Sequence, residues 1–156
     1  MTEERLDHPG VLIHPPVLML LHLLLAFVLG FAVPLSLPAP VPVTAAGFLI
    51  VLAGLGFGFS AVRQFRNANT TLDPHGSVSV IVASGPYRFT RNPIYLGFVS
   101  VVIGLPLVFG DYWGVILAPL LLILLQRLVV SFEEAYLEAK FGDAYRLYKS
   151  GVRRWL

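Results

Sequence analysis

Four long apolar runs dominate this chain, and a water-soluble fold of 156 residues offers too little interior to bury them all. They lie at roughly Pro15 to Val33, Thr44 to Phe65, Pro93 to Phe109 and Tyr112 to Phe132. A spanning helix needs about 20 mostly apolar residues, so the third run is short for a span. The chain is 56% apolar and 13% charged with a mean hydropathy of +0.78, whereas a soluble domain is roughly 25% charged. The bilayer is therefore the expected solvent. The expected fold class is an all-α membrane protein in which four transmembrane helices form two hairpins and an amphipathic cytoplasmic helix follows over 133–156. A single integral-membrane domain would cover 1–156. MTEERLDHPG has neither the basic start nor the cleavage site of a signal peptide, so the first run is read as a retained anchor.

The connections set the topology. PLSLPAPVPV joins the first two runs without a charge, and its four prolines forbid helix continuation there. Gly110 and Asp111 join the last two, with Tyr112 and Trp113 following as interfacial aromatics. All 11 basic residues fall elsewhere: Arg5, then Arg63, Arg66, Arg88 and Arg91 around the central loop, then Arg127, Lys140, Arg146, Lys149, Arg153 and Arg154. By the positive-inside rule both termini and the central loop are expected in the cytoplasm. Gly54 and Gly58 make a small-xxx-small face, read as internal packing. In the tail, Leu137, Phe141, Tyr145 and Tyr148 share a helical side, and Gly142 marks a bend or break.

Two polar clusters carry candidate chemistry. SGPYRFTRNPIYLG, from Ser84 to Gly97, gathers Arg88, Arg91, Asn92 and Tyr95 where Pro93 opens a helix, a place suited to an anionic group such as a carboxylate. Lipid headgroups would bind the same two arginines equally well. The second cluster is Arg127 with Glu133 and Glu134, whose acids could accept bonds from an amine or hydroxyl or offset a cation. Neighbouring helix residues point about 100° apart, so only one glutamate is expected to face inward. With no cysteine, thiol nucleophiles and cysteine metal sites are excluded. Of His8, His14, His22 and His75, only His22 lies deep in a run, so a bis-histidine haem has no second ligand at depth. His22 is expected to pack on a polar neighbour or line a cavity.

FRNANTTLDP, IVASGPYRFTRNPIYLG and EEAYLEAKFGDAYRLYKSGVRRWL, in this order between Phe65 and Leu156, resemble the isoprenylcysteine carboxyl methyltransferase and phospholipid methyltransferase superfamily of integral-membrane enzymes. Many relatives carry His where this chain has Asn92. The resemblance implies a small bacterial-type, inner-membrane methyltransferase using S-adenosyl-L-methionine. It implies a cofactor pocket built from a strand-like segment Ser79, Val80, Ile81 and Val82, then Gly85 and Tyr87, then Arg91, Asn92, Pro93, Ile94 and Tyr95. Glu133, Glu134 and Arg127 would complete the catalytic side. The implied partners are membrane lipid and a lipophilic or small methyl acceptor bearing a carboxyl, amine or thiol, with no nucleic acid. In-line methyl displacement asks for alignment and a dry site, and for no metal.

Two other readings stand beside it. A sterol-type membrane reductase would use NADPH, which asks for more basic residues than the central loop offers. A non-enzymatic membrane scaffold is the second. A proton-coupled carrier would need an acid deep in a span, and none of the nine acids lies there.

Overall fold

The computed structural model describes residues 9–35, 41–70 and 78–156, and every element found among them is helical. Helix α1 covers Pro15–Ala32, α2 Val41–Asn67, α3 Pro93–Val108 and α4 Trp113–Leu125. A π turn, Gln126–Val130, joins α4 to α5, Ser131–Phe141, and α6 covers Asp143–Gly151. Among the described residues three helices are long and apolar enough to cross a membrane: Pro15–Ala32, Val41–Asn67 and the continuous Trp113–Phe141. Helix α3 has 16 residues, ~24 Å of rise, short of the ~30 Å hydrocarbon core.

The outer surface is that of an integral membrane protein. Leu24 and Phe31 on α1 and Leu49 and Phe59 on α2 are exposed on flanks that lipid would cover. Inward, Leu18 of α1, Val99 and Val102 of α3 and Ala118, Leu121 and Leu125 of α4 form the main core. The α2–α3 seam is closer still. A Cβ placed on Gly104 would stand 2.7 Å from the Gly47 carbonyl oxygen, and one on Gly97 would stand 2.9 Å from that of Gly54. The small residues therefore serve packing inside the bundle, as read from the sequence. The far end is tied by Trp113, whose backbone N–H donates to the Asp111 carboxylate at 2.8 Å and whose indole donates to the Val33 carbonyl at 2.9 Å.

Several expectations need correction. Helix α2 is already formed at Val41, ahead of Thr44, and Pro42 is accommodated near that end of the helix. Residues 36–40 of the connector lie outside the described residues, as do Arg5, His8 and His75. No helix end separates the fourth run from the tail at 132–133: Trp113–Phe141 is continuous, carried through by the π turn. The tail is two helices rather than one, and the break falls at Gly142, where the sequence placed a bend or break; its φ of 54° only glycine adopts without strain. Ser79 to Val82 form no strand. The amides here pair with hydroxyls instead, Val78 N–H to Tyr136 at 3.2 Å and Ser79 N–H to Thr70 at 3.0 Å.

Candidate active site

The start of α3, the α5 face and the tail enclose a cavity of about 130 Å³. Apolar groups from Phe65, Val80, Ile81, Val82, Ile94 and Leu137 form part of its wall, and Tyr87, Tyr95, Tyr136, Tyr145 and Tyr148 give it a lining of phenols. Three of those tyrosines lie outside the spans, and burial pushes each phenol upward. Tyr148 rises to about 12, partly offset by Arg91. Tyr87 and Tyr145 rise further still, and repulsion from neighbouring groups adds to burial: from Tyr148 and Glu133 at Tyr87, chiefly from Glu134 at Tyr145. These rings remain neutral, so they offer π faces and hydroxyl donors without charge.

Both glutamates reach the cavity, although the helix spacing suggested that only one would. The cavity wraps round the helix between α3 and the tail, so two side chains about 100° apart both line it. Their partners divide them. Glu134 is buried and takes guanidinium bonds from two arginines: Arg91 Nη2 donates to Oε1 at 2.9 Å, while Arg154 Nε and Nη2 donate to Oε1 and Oε2 at 3.0 and 2.6 Å. Glu133 is half-buried and has no guanidinium beside it among the described residues. Instead it accepts the Tyr95 hydroxyl at 2.5 Å.

The loop before α3 holds the tail in place. Arg91 donates from its backbone to the Arg153 carbonyl at 2.9 Å and from Nη1 to the Lys149 and Val152 carbonyls, both at 2.9 Å. Asn92 Nδ2 and Thr90 Oγ1 both donate to the Arg154 carbonyl, at 2.8 and 3.0 Å. Tyr148 donates to the Tyr87 carbonyl at 2.8 Å. Arg91 and Asn92 thus spend their donors on the chain itself, although Nε of Arg91 is buried without a partner among the described residues.

Of the residues singled out from the sequence, Val80, Ile81, Val82, Tyr87, Arg91, Asn92, Ile94, Tyr95, Glu133 and Glu134 line the cavity. Ser79 is exposed, Gly85 forms the turn before Tyr87, and Pro93 is buried as the first residue of α3, so these three stand outside the lining. Arg127 is exposed and lies apart from the cavity. On an unbroken α-helix a separation of seven would put it on the Glu134 face, but a π turn inserts an extra residue and rotates the downstream helix by about 100°. Arg88 is exposed as well, so the two loop arginines do not converge on one anion. Leu137, Tyr145 and Tyr148 were marked by their shared helical side, but Phe141 of that set is not in the lining. Nothing local in the sequence marked Phe65, Tyr136 or Arg154. His22 lies deep in the bundle, away from the cavity, with Nδ1 2.8 Å from the Leu18 carbonyl oxygen.

Fold and site together define an integral-membrane helical protein with a carboxylate–phenol cavity at one end of the bundle. The chain belongs to the phospholipid methyltransferase family, whose model matches residues 43–144, about two thirds of its length. It is 30% identical over 106 residues to a protein-S-isoprenylcysteine O-methyltransferase of Schizosaccharomyces pombe, a match covering 61% of this chain and 45% of that enzyme. The chain thus spans less than half the length of that relative. It is also 35% identical over 63 residues to an uncharacterized protein of Haemophilus influenzae, covering 40% of this chain and the whole of that protein. No solved structure matches.

Proposed function

We propose that the protein transfers a methyl group from S-adenosyl-L-methionine to a lipophilic or small acceptor at the cytoplasmic face of the membrane. The observation that carries this reading is the division of the two glutamates. Both line a tyrosine-rich cavity, but Glu134 is committed to two guanidiniums, whereas Glu133 accepts the Tyr95 hydroxyl and meets no guanidinium among the described residues. The residues present suit the cofactor: neutral aromatic faces attract a cation and stack on a flat base, and Glu133 offers a carboxyl that no guanidinium engages among the described residues. When bound, S-adenosyl-L-methionine supplies an electrophilic methyl carbon on a sulfonium that leaves as a neutral thioether.

The chain's own residues align and shield that displacement. The phenols and the Val80–Val82 lip keep water from the acceptor, and Tyr95 orients the Glu133 carboxylate. With an amine acceptor, Glu133 takes the proton released as the new carbon–nitrogen bond forms. A carboxylate or thiolate acceptor releases none. We take α3 as a fourth, short crossing and place the cavity with both termini on the cytoplasmic side of a bacterial inner membrane, in one domain over 1–156. Family membership favours this over the reductase and scaffold readings.

Calorimetry on detergent-purified protein tests the proposal, with S-adenosyl-L-methionine, S-adenosylhomocysteine and NADPH in parallel. Saturable binding of the first two and none of NADPH is expected. Preference for NADPH, or no binding of either adenosyl compound, would overturn it. In the enzyme, Glu133→Gln should slow transfer to an amine by about 100-fold or more.

A further inference from the structure

The C-terminal end of the chain meets the site through two separable sets of contacts. The first grips its backbone: Thr90, Arg91 and Asn92 donate to the carbonyls of Lys149, Val152, Arg153 and Arg154. These bonds end on main-chain oxygens, so they do not depend on the tail's side chains. The second is the Arg154 side chain, which holds Glu134 at both oxygens. Those bonds keep the guanidinium above its ordinary range.

Glu134 adjoins Glu133 in sequence and shares its cavity. Arg91 engages only Oε1 of Glu134, so without Arg154 its Oε2 would have no guanidinium. Within that cavity the released carboxylate would then be able to turn and compete for the Tyr95 hydroxyl that Glu133 accepts. A two-point clamp prevents that rotation, whereas a single-point contact does not.

We propose that Arg154 is a positioning residue that acts through Glu134: by fixing that carboxylate at both oxygens, it leaves Glu133 as the glutamate free to meet the acceptor. The proposal rests on the methyl-transfer reading above and extends it to a residue that touches no reacting atom.

The test compares full-length wild type with Arg154→Gln, Arg154→Lys, Glu134→Gln and the Arg154→Gln/Glu134→Gln double variant. Labelling with an apolar carbodiimide, read residue by residue by mass spectrometry, needs no turnover. In the wild type Glu133 should react and Glu134 should not. Arg154→Gln should raise Glu134 labelling several-fold, and Arg154→Lys should give an intermediate level. In turnover, Arg154→Gln should lower kcat about tenfold with KM for the methyl donor within about twofold, and the double variant should be no slower than the slower single. In a Trp113→Phe background, Trp155 is the sole indole and reports whether the tail stays docked. Its emission should not change in Arg154→Gln.

Labelling of Glu134 in the wild type, an unchanged pattern in Arg154→Gln, multiplying losses in the double variant, or a shifted Trp155 emission would each overturn the proposal. If no acceptor is methylated by the wild type, the methyl-transfer reading fails by itself, and the labelling still decides what Arg154 does to Glu134.

Discussion

The seam between α2 and α3 and the roof over the cavity are both tightly made, but by opposite means. In the seam, glycines let two backbones approach until carbonyl oxygens occupy the space a methyl would need. In the roof, Thr90, Arg91, Asn92, Glu134 and Arg154 join the α3 start to α5 and the tail through ionic and main-chain hydrogen bonds. Lipid gives helices little hydrophobic reason to associate, so the seam depends on shape. The roof depends on charge, because Arg91 and Glu134 are largely enclosed and each must find a partner, while Arg154 reaches in from a partly exposed position.

That contrast predicts different failures. The largest is expected at Glu134. Replacing it with alanine leaves the buried Arg91 without its carboxylate and should cost about 3–5 kcal/mol in a denaturant titration in mixed micelles. Glu133→Gln, one residue away, should change stability by less than about 1 kcal/mol, since only a phenol contact is altered. Equal losses at the two positions would erase the distinction drawn between them.

Next comes Gly104→Leu, which forces side-chain atoms against the Gly47 carbonyl and should cost about 1–3 kcal/mol by the same titration. A neutral result would show that the seam is looser than its geometry. Thr90→Val, at a fully buried position, removes the bond to the Arg154 carbonyl and the acceptor for the Asn92 N–H, and about 1–2 kcal/mol of loss is expected. Faster protease cleavage beyond Gly151 should accompany it.

The smallest effect concerns Tyr148. Unfolded, its phenol loses its proton near pH 10, as tyrosine usually does; folded, it holds the proton to about 12. The folded state then binds more protons than the unfolded one, so this contribution to stability is complete below pH 10 and is lost as pH rises towards 12. Tyr148→Phe should flatten the fall in melting temperature over that interval. An unchanged slope would show that Tyr148 is not enclosed where the tail meets Tyr87.

The seam was legible in the sequence because its signal is local: Gly54 and Gly58 stand four apart on one helix, and Gly97 of α3 packs against both. The cavity was legible where one continuous segment supplies it, as between Tyr87 and Tyr95. It was not legible at Arg154, which meets Glu134 from 20 positions away across the break at Gly142, nor at Arg127, which was grouped with the two acids and which the π turn carries off the Glu134 face.

The sequence by itself determined that this chain is helical and that it belongs in a membrane, because hydropathy runs, prolines and glycines act over a few residues. Only the tertiary structure decided which glutamate of the cavity is paired with arginine and which accepts a phenol instead. That choice rests on where two guanidiniums, carried by separate segments, come within about 3 Å of one carboxylate, a distance no helical period or local spacing contains.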